Sequence, residues 1–85
     1  MPDVRNPCAC CGSLTCYEEA GSGTYNICPV CFWEDDSVQF PRPDYAGGAN
    51  RPSLNQARAN FKEFGAKDRH ALPHVRPPKA EEKPN

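Results

Sequence analysis

Residues 7–12 read PCACCG and residues 28–31 read CPVC, so a Cys8-x2-Cys11 pair is followed by a Cys28-x2-Cys31 pair after an interval of 16 residues, 12–27. Thiols at this density serve as disulfide staples, as a redox couple or as metal ligands. The spacing favours the last. Two C-x2-C pairs at this separation have the pattern of a four-cysteine zinc site. Each C-x2-C turn brings two sulfurs to one edge of a tetrahedron while backbone N–H groups of the same turn point at them and ease the charge of the thiolates. Gly12 suits the left-handed position that ends such a turn, and Pro29 fixes one dihedral of the second turn. The reading that decides the fold is therefore a metal site at Cys8, Cys11, Cys28 and Cys31, with Zn2+ as the expected ion and iron in the same paired turns as its rival.

Chain length presses in the same direction. At 85 residues, with a mean composition of 38% hydrophobic and 25% charged, the chain has room for one small domain. Such a domain buries little apolar surface, and a metal or cross-links usually supplement it. Met1 to Pro7 hold no apolar run that would serve as a secretory signal, and no stretch approaches the roughly twenty apolar residues of a membrane span. The expected compartment is the cytoplasm, with no membrane association. Thiols stay reduced there, which weighs against disulfides. A redox C-x-x-C needs a helix start to lower its thiol pKa, and no helical pattern follows Cys11 or Cys31.

Along the chain, Leu14 to Glu19 and Thr24 to Ile27 are expected to form a hairpin about an Ala20–Gly23 turn, bringing the two cysteine turns together as a zinc ribbon. Residues 32–52 are irregular but rich in aromatics (Phe32, Trp33, Phe40, Tyr45), as in an ordered loop. A helix is expected over 53–64. Ser53 is its N-cap, with Gln56 completing a capping box, Leu54, Ala57, Phe61 and Phe64 form one apolar face, and Gly65 is its C-cap. Residues 1–66 thus form the expected domain, and 67–85, with Pro73, Pro77, Pro78 and Pro84, form an expected Pro-rich and largely disordered tail.

The other chemistry-bearing residues have bland readings beside the sharp ones. Cys10 replaces Cys8 only by abandoning the two-residue gap, and Cys16 reads as a small buried apolar residue; a thiol redox role for either is the alternative. Glu34, Asp35 and Asp36 read as a solvated turn anchored by Trp33, with no partner His, Lys or Ser to make an acid–base site. Asp44 to Asn50, DYAGGAN, reads as a loop wrapping the ribbon onto the helix; its Gly pair lacks the strand and Lys of a phosphate loop. His70 and His74 are spaced H-x3-H across Pro73, which spoils a helical ligand pair. Charge is split: residues 1–50 carry two basic groups against seven acidic ones, and 51–85 carry eight against four. The acidic cysteine-bearing half repels phosphate backbones, so nucleic acid is a poor partner unless Arg51, Arg58, Lys62 and Lys67 act alone along the helix. A basic protein partner fits better, and the oligomeric state stays open.

These residues resemble the cysteine-rich CPCC proteins, a family of small, mostly bacterial presumed zinc binders. The likeness runs from Pro7 to about Gly65: C-x-C-C-G, Cys28-Pro-Val-Cys31, Trp33-Glu34-Asp35-Asp36, the Asp44–Asn50 loop, and Ser53-Leu54-Asn55 onward to Phe64-Gly65. Val75-Arg76-Pro77-Pro78 resembles the family's tail. Two departures stand out: Ala9 occupies the place of proline, and Phe32 follows Cys31 where glycine is usual, while Cys16 is an addition. The resemblance implies a zinc binder without an established activity. Residues and resemblance together predict a small metal-stabilised α+β fold, a zinc ribbon with one C-terminal amphipathic helix. Its predicted role is that of a protein-interaction module and not an enzyme, since four sulfur ligands leave no open metal position for substrate.

Overall fold

A computed structural model describes residues 5–83. Strand β1 (Asn6–Pro7) pairs antiparallel with β2 (Leu14–Cys16), Asn6 opposite Cys16 and Pro7 opposite Leu14, with an irregularity between the two pairs. A single antiparallel bridge joins Ile27 to Glu34. Among the described residues the architecture is thus a two-stranded antiparallel hairpin, one α-helix, two short 3-10 helices and connecting loops, with the cysteines at its centre.

The hairpin is not where the alternation of residues placed it. Instead of Leu14–Glu19 pairing with Thr24–Ile27, each cysteine turn is flanked by its own short antiparallel contact: β1 with β2 around the first, Ile27 with Glu34 around the second. The physical reason is loop closure. A C-x2-C turn already reverses the chain, so its flanks meet at minimal entropic cost, whereas a 14–27 hairpin must find burial for its side chains. It has none to find, since Tyr17, Tyr25 and Ile27 are exposed.

Helix α1 (Leu54–Phe64) forms as its caps dictate. Ser53 is extended, and its side chain accepts from Gln56 N at 3.1 Å; Gly65 stands at φ 85° and its N–H reaches Phe61 O. Only half of the capping box is made, because Gln56 Nε2 donates forward to Asn60 Oδ1 at 2.8 Å. Leu54 and Ala57 are buried, and Phe61 packs against the cluster of Cys8, Cys10, Cys28, Val30, Cys31 and Trp33. This core consists largely of sulfur and small side chains.

Residues 67–83 are ordered, in contrast to the disordered tail expected of them. Short 3-10 helices run over Arg69–His74 and Ala80–Glu82, the first capped by the Asp68 side chain accepting from Ala71 N at 2.9 Å, the second lying against β2. Ala66 and Ala71 are buried. Arg76 grips Glu82 through two parallel bonds of 2.8 and 2.9 Å, and Glu82 also accepts from Lys79 N. Proline content removed periodicity without removing structure: fixed φ values lower the entropy that ordering must overcome. Pro84 and Asn85 lie outside the described residues.

Candidate metal centre

The two cysteine turns are built alike. Cys8 N donates to Ser13 O and Gly12 N to Cys8 O, both at 2.9 Å; in the second turn Cys28 N donates to Trp33 O at 2.9 Å and Phe32 N to Cys28 O at 2.8 Å. Gly12 and Phe32 occupy the same place and the same left-handed conformation, φ 78° and 71°. A phenylalanine there costs about 1–2 kcal/mol relative to glycine. Its ring offsets this by stacking on His74, centroids 4.9 Å apart at 19°, with the Lys67 ammonium 5.6 Å from its centroid. Lys67 N also donates to Cys31 O at 2.8 Å, tying the chain after α1 to the second turn.

These paired turns bring Cys8, Cys11, Cys28 and Cys31 together, their sulfurs all within 4.8 Å of one another. Cys8 Sγ lies 3.6 Å from Cys31 Sγ, and Cys11 Sγ lies 3.7 Å from Cys28 Sγ. Such a group can hold a metal ion. Cys8, Cys28 and Cys31 are buried and Cys11 is half-buried. Two further groups touch the sulfurs: Thr15 Oγ1 is 3.1 Å from Cys28 Sγ, placed to donate, and Trp33 N donates to Cys31 Sγ at 3.4 Å. Neither was visible in the sequence, because each depends on where β2 and the second turn lie.

Electrostatics show that these thiols do not titrate independently. Hydrogen bonds from Cys11, then Cys31 and Cys8, push Cys28 far below the ordinary thiol value. Cys8 is pushed far above it, first by Cys11, and Cys31 likewise, first by the neighbouring Cys10 sulfur and then by Cys11, Cys28 and Cys8. Four thiolates this close repel, so either shared protons or a positive ion must sit among them. Cys16 is drawn below the ordinary value by Cys8, although burial opposes the shift. Cys10 and Cys16 are therefore neighbours of the four and outside the ligand-like group.

Residues 6–82 match the profile of a family described as Cysteine-rich CPCC. The chain belongs to that family. No curated protein matches it. The CPCC match spans both turns, α1 and the residues after it, so the ordered segment 67–82 is part of the family's unit. In this CPCC chain alanine at position 9 leaves the first turn intact, its carbonyl accepting from Arg58 Nε at 2.9 Å.

The remaining singled-out residues are mostly structural. Asp35 and Asp36 are not the solvated turn expected. Asp35 accepts from Gly21 N, Gly23 N and Thr24 N at 2.7–3.1 Å, fastening the 20–24 loop to the second turn. Asp36 is buried and accepts from Val38 N, Gln39 N and Ala49 N at 2.7–2.9 Å. Burial pushes its carboxyl up, but these three donors outweigh it and hold the group below the usual carboxylate range. The DYAGGAN loop ends in Asn50, fully buried, which bonds Glu34 N and O, Gln39 Oε1 and Lys67 Nζ. Gly48 admits no side chain there: a Cβ would stand 2.9 Å from both Asp36 Oδ2 and Gln39 Cδ. Of the basic residues expected along the helix, Arg58 is turned to the first cysteine turn and Lys67 to Asn50. His70 and His74 lie together at a cleft beside Phe32. Among the described residues, only the four cysteines gather as a ligand-like group. No helix among the described residues is long and apolar enough to cross a membrane.

Proposed function

We propose that the chain binds one zinc ion through Cys8, Cys11, Cys28 and Cys31, that the ion is structural, and that the folded unit is a protein-interaction module. The observation that carries the site is the sulfur geometry. Ligands about 2.3 Å from zinc at tetrahedral angles stand about 3.8 Å apart, and the Cys8–Cys31 and Cys11–Cys28 separations are 3.6 and 3.7 Å. Four protein sulfurs fill a tetrahedron, so the ion's chemistry there is to hold and not to activate. Iron shares this donor set; elemental analysis and the visible absorption of natively purified protein decide between them. One zinc per chain and a featureless visible spectrum are expected, and ordered protein without stoichiometric metal would overturn the reading.

The interaction role is supported by surface chemistry around the second turn. Tyr25, Ile27, Val38 and Phe40 are exposed large side chains in the acidic half of the chain, and Gly21 and Gly23 lie against Phe40 and Ser37. A basic partner with an apolar contact suits such a face. Asp35 and Asp36 are unsuitable probes because their carboxylates hold loops. Charge reversal at the exposed Glu18 and Glu19 instead should reduce capture of partners from a native extract, and an unchanged set of partners counts against the role.

A second reading, thiol redox, is favoured by one observation, the half-buried Cys16 sulfur next to Cys8. Alkylation of the metal-loaded protein separates the two: an interaction module leaves Cys10 and Cys16 slow to react, whereas a redox protein exposes one readily.

A further inference from the structure

The chain following α1 folds back over one side of the second cysteine turn and leaves a cleft of about 290 Å³, lined by Phe32, Arg51, Lys67, Asp68, His70 and His74 among others. This is the small end of the range for ligand sites. Its lining carries two permanent cations and two imidazoles against one carboxylate. That carboxylate is already engaged, since Asp68 Oδ1 accepts from Ala71 N at 2.9 Å. Lys67 is half-buried, yet its ammonium meets only the neutral Asn50 amide at 2.9 Å and the face of Phe32; among the described residues it has no carboxylate partner. Arg51 is exposed and likewise unpaired among the described residues. Positive charge removed from water without a counter-ion is costly. Here one such group, the half-buried Lys67, meets the exposed Arg51 at one concavity whose wall, Phe32, is itself held in a strained conformation, as residues at ligand sites often are.

We propose that this cleft binds a phosphate group, carried by inorganic phosphate or by a small phosphate monoester. Donors reach it from separate parts of the chain: the cations Arg51 from the loop before α1 and Lys67 from the turn after it, and the imidazoles of His70 and His74 from the following 3-10 helix. A tetrahedral oxyanion has enough acceptor oxygens to meet several of them at once, whereas a planar carboxylate satisfies fewer; the guanidinium fork and the ammonium are the usual phosphate donors. A nucleic-acid strand fits less well, because it needs a basic track and Arg58 is turned away to Ala9 O. The site is independent of which metal the cysteines hold.

The test is titration of the full-length, natively purified, 15N-labelled chain with inorganic phosphate and, in a second arm, with phenyl phosphate. Saturable amide shifts at Arg51, Lys67 and Ala71 are expected. Arg51→Gln, at an exposed position, should weaken binding about tenfold or more while leaving the rest of the spectrum unchanged. Lys62→Gln, on the exposed part of α1, should leave affinity as it was. Tighter binding of the monoester assigns its organic part to the Phe32–His74 wall, and equal binding assigns inorganic phosphate; either supports the site. Shifts that do not saturate, equal weakening by both substitutions, or an oligonucleotide that perturbs these residues where phosphate does not, each overturn it.

Discussion

Phe32 shows how one side chain can stand where backbone geometry asks for glycine. It repeats the position of Gly12 in the other cysteine turn and adopts the same left-handed conformation, with its ring stacked on His74 and under Lys67. Two energies of similar size compete: about 1–2 kcal/mol of backbone strain against a ring contact of about 0.5–1.5 kcal/mol beyond its buried area. Phe32→Ala keeps the strain and loses the ring, so it should destabilise more than Phe32→Gly, which loses both, by about 1 kcal/mol. Urea denaturation of the two variants measures the difference, and alanine proving the milder change would refute the account. Gly12 was legible as a turn-ending glycine, whereas the use of Phe32 was not. Its stacking partner is 42 positions away, at residue 74.

At the scale of elements, the loop of residues 34–52 is held by polar side chains turned inward. Gln39 and Asn50 are both fully buried; Gln39 Nε2 donates to Tyr45 O, Asn50 O and Pro52 O, and Asn50 joins Glu34, Gln39 and Lys67. Buried amides with every bond made specify one loop conformation, and removal of one strands several partners. Asn50→Ala should cost about 3–5 kcal/mol, measured by chemical denaturation of the metal-loaded protein. The last element makes a pH prediction. The Arg76 guanidinium, with the Lys79 N–H, holds the Glu82 carboxyl down at about 2, from an ordinary 4.5. A depressed folded value means that docking of this segment is fully supported above pH 4.5 and weakens as pH falls toward about 2. The protection factors of the Arg76 amide and of the amides of residues 79–82, taken against the intrinsic exchange rate at each pH, should therefore fall over that window, and Glu82→Gln should give the low protection already at neutral pH. A profile unchanged by the substitution would remove the ion pair as the cause.

Across the whole molecule, the core is small: Leu54, Val30, Trp33 and three alanines complete what the buried cysteines begin. Structural zinc contributes about 10–16 kcal/mol in small domains, more than such an interior supplies. On the proposed zinc reading, chelation should hence unfold the chain, with loss of dispersed amide resonances and recovery on adding zinc back. Single Ser substitutions at Cys8, Cys11, Cys28 or Cys31 should do the same, whereas Cys10→Ser should retain one metal per chain. An apo protein that kept its amide dispersion would show that side-chain packing alone suffices.

The residues by themselves determined what depends on short spacing. Each C-x2-C turn, the left-handed Gly12 and the helix with its Ser53 and Gly65 caps follow from contacts within a few positions, where chain connectivity leaves little choice, and the repeated C-x2-C spacing was enough to pair the two turns as one four-cysteine group. Tertiary structure decided the rest. It moved strand pairing from the interval between the cysteine turns to the flanks of each, and it ordered the Pro-rich segment. It also turned Asp35, Asp36 and Asn50 inward and set Lys67 and His74 around Phe32. Apart from the strand pairings, which close over the short cysteine turns, these contacts join residues far apart in the chain. Their energy exists only after the cysteine turns have closed the intervening loops, so no local pattern carries them.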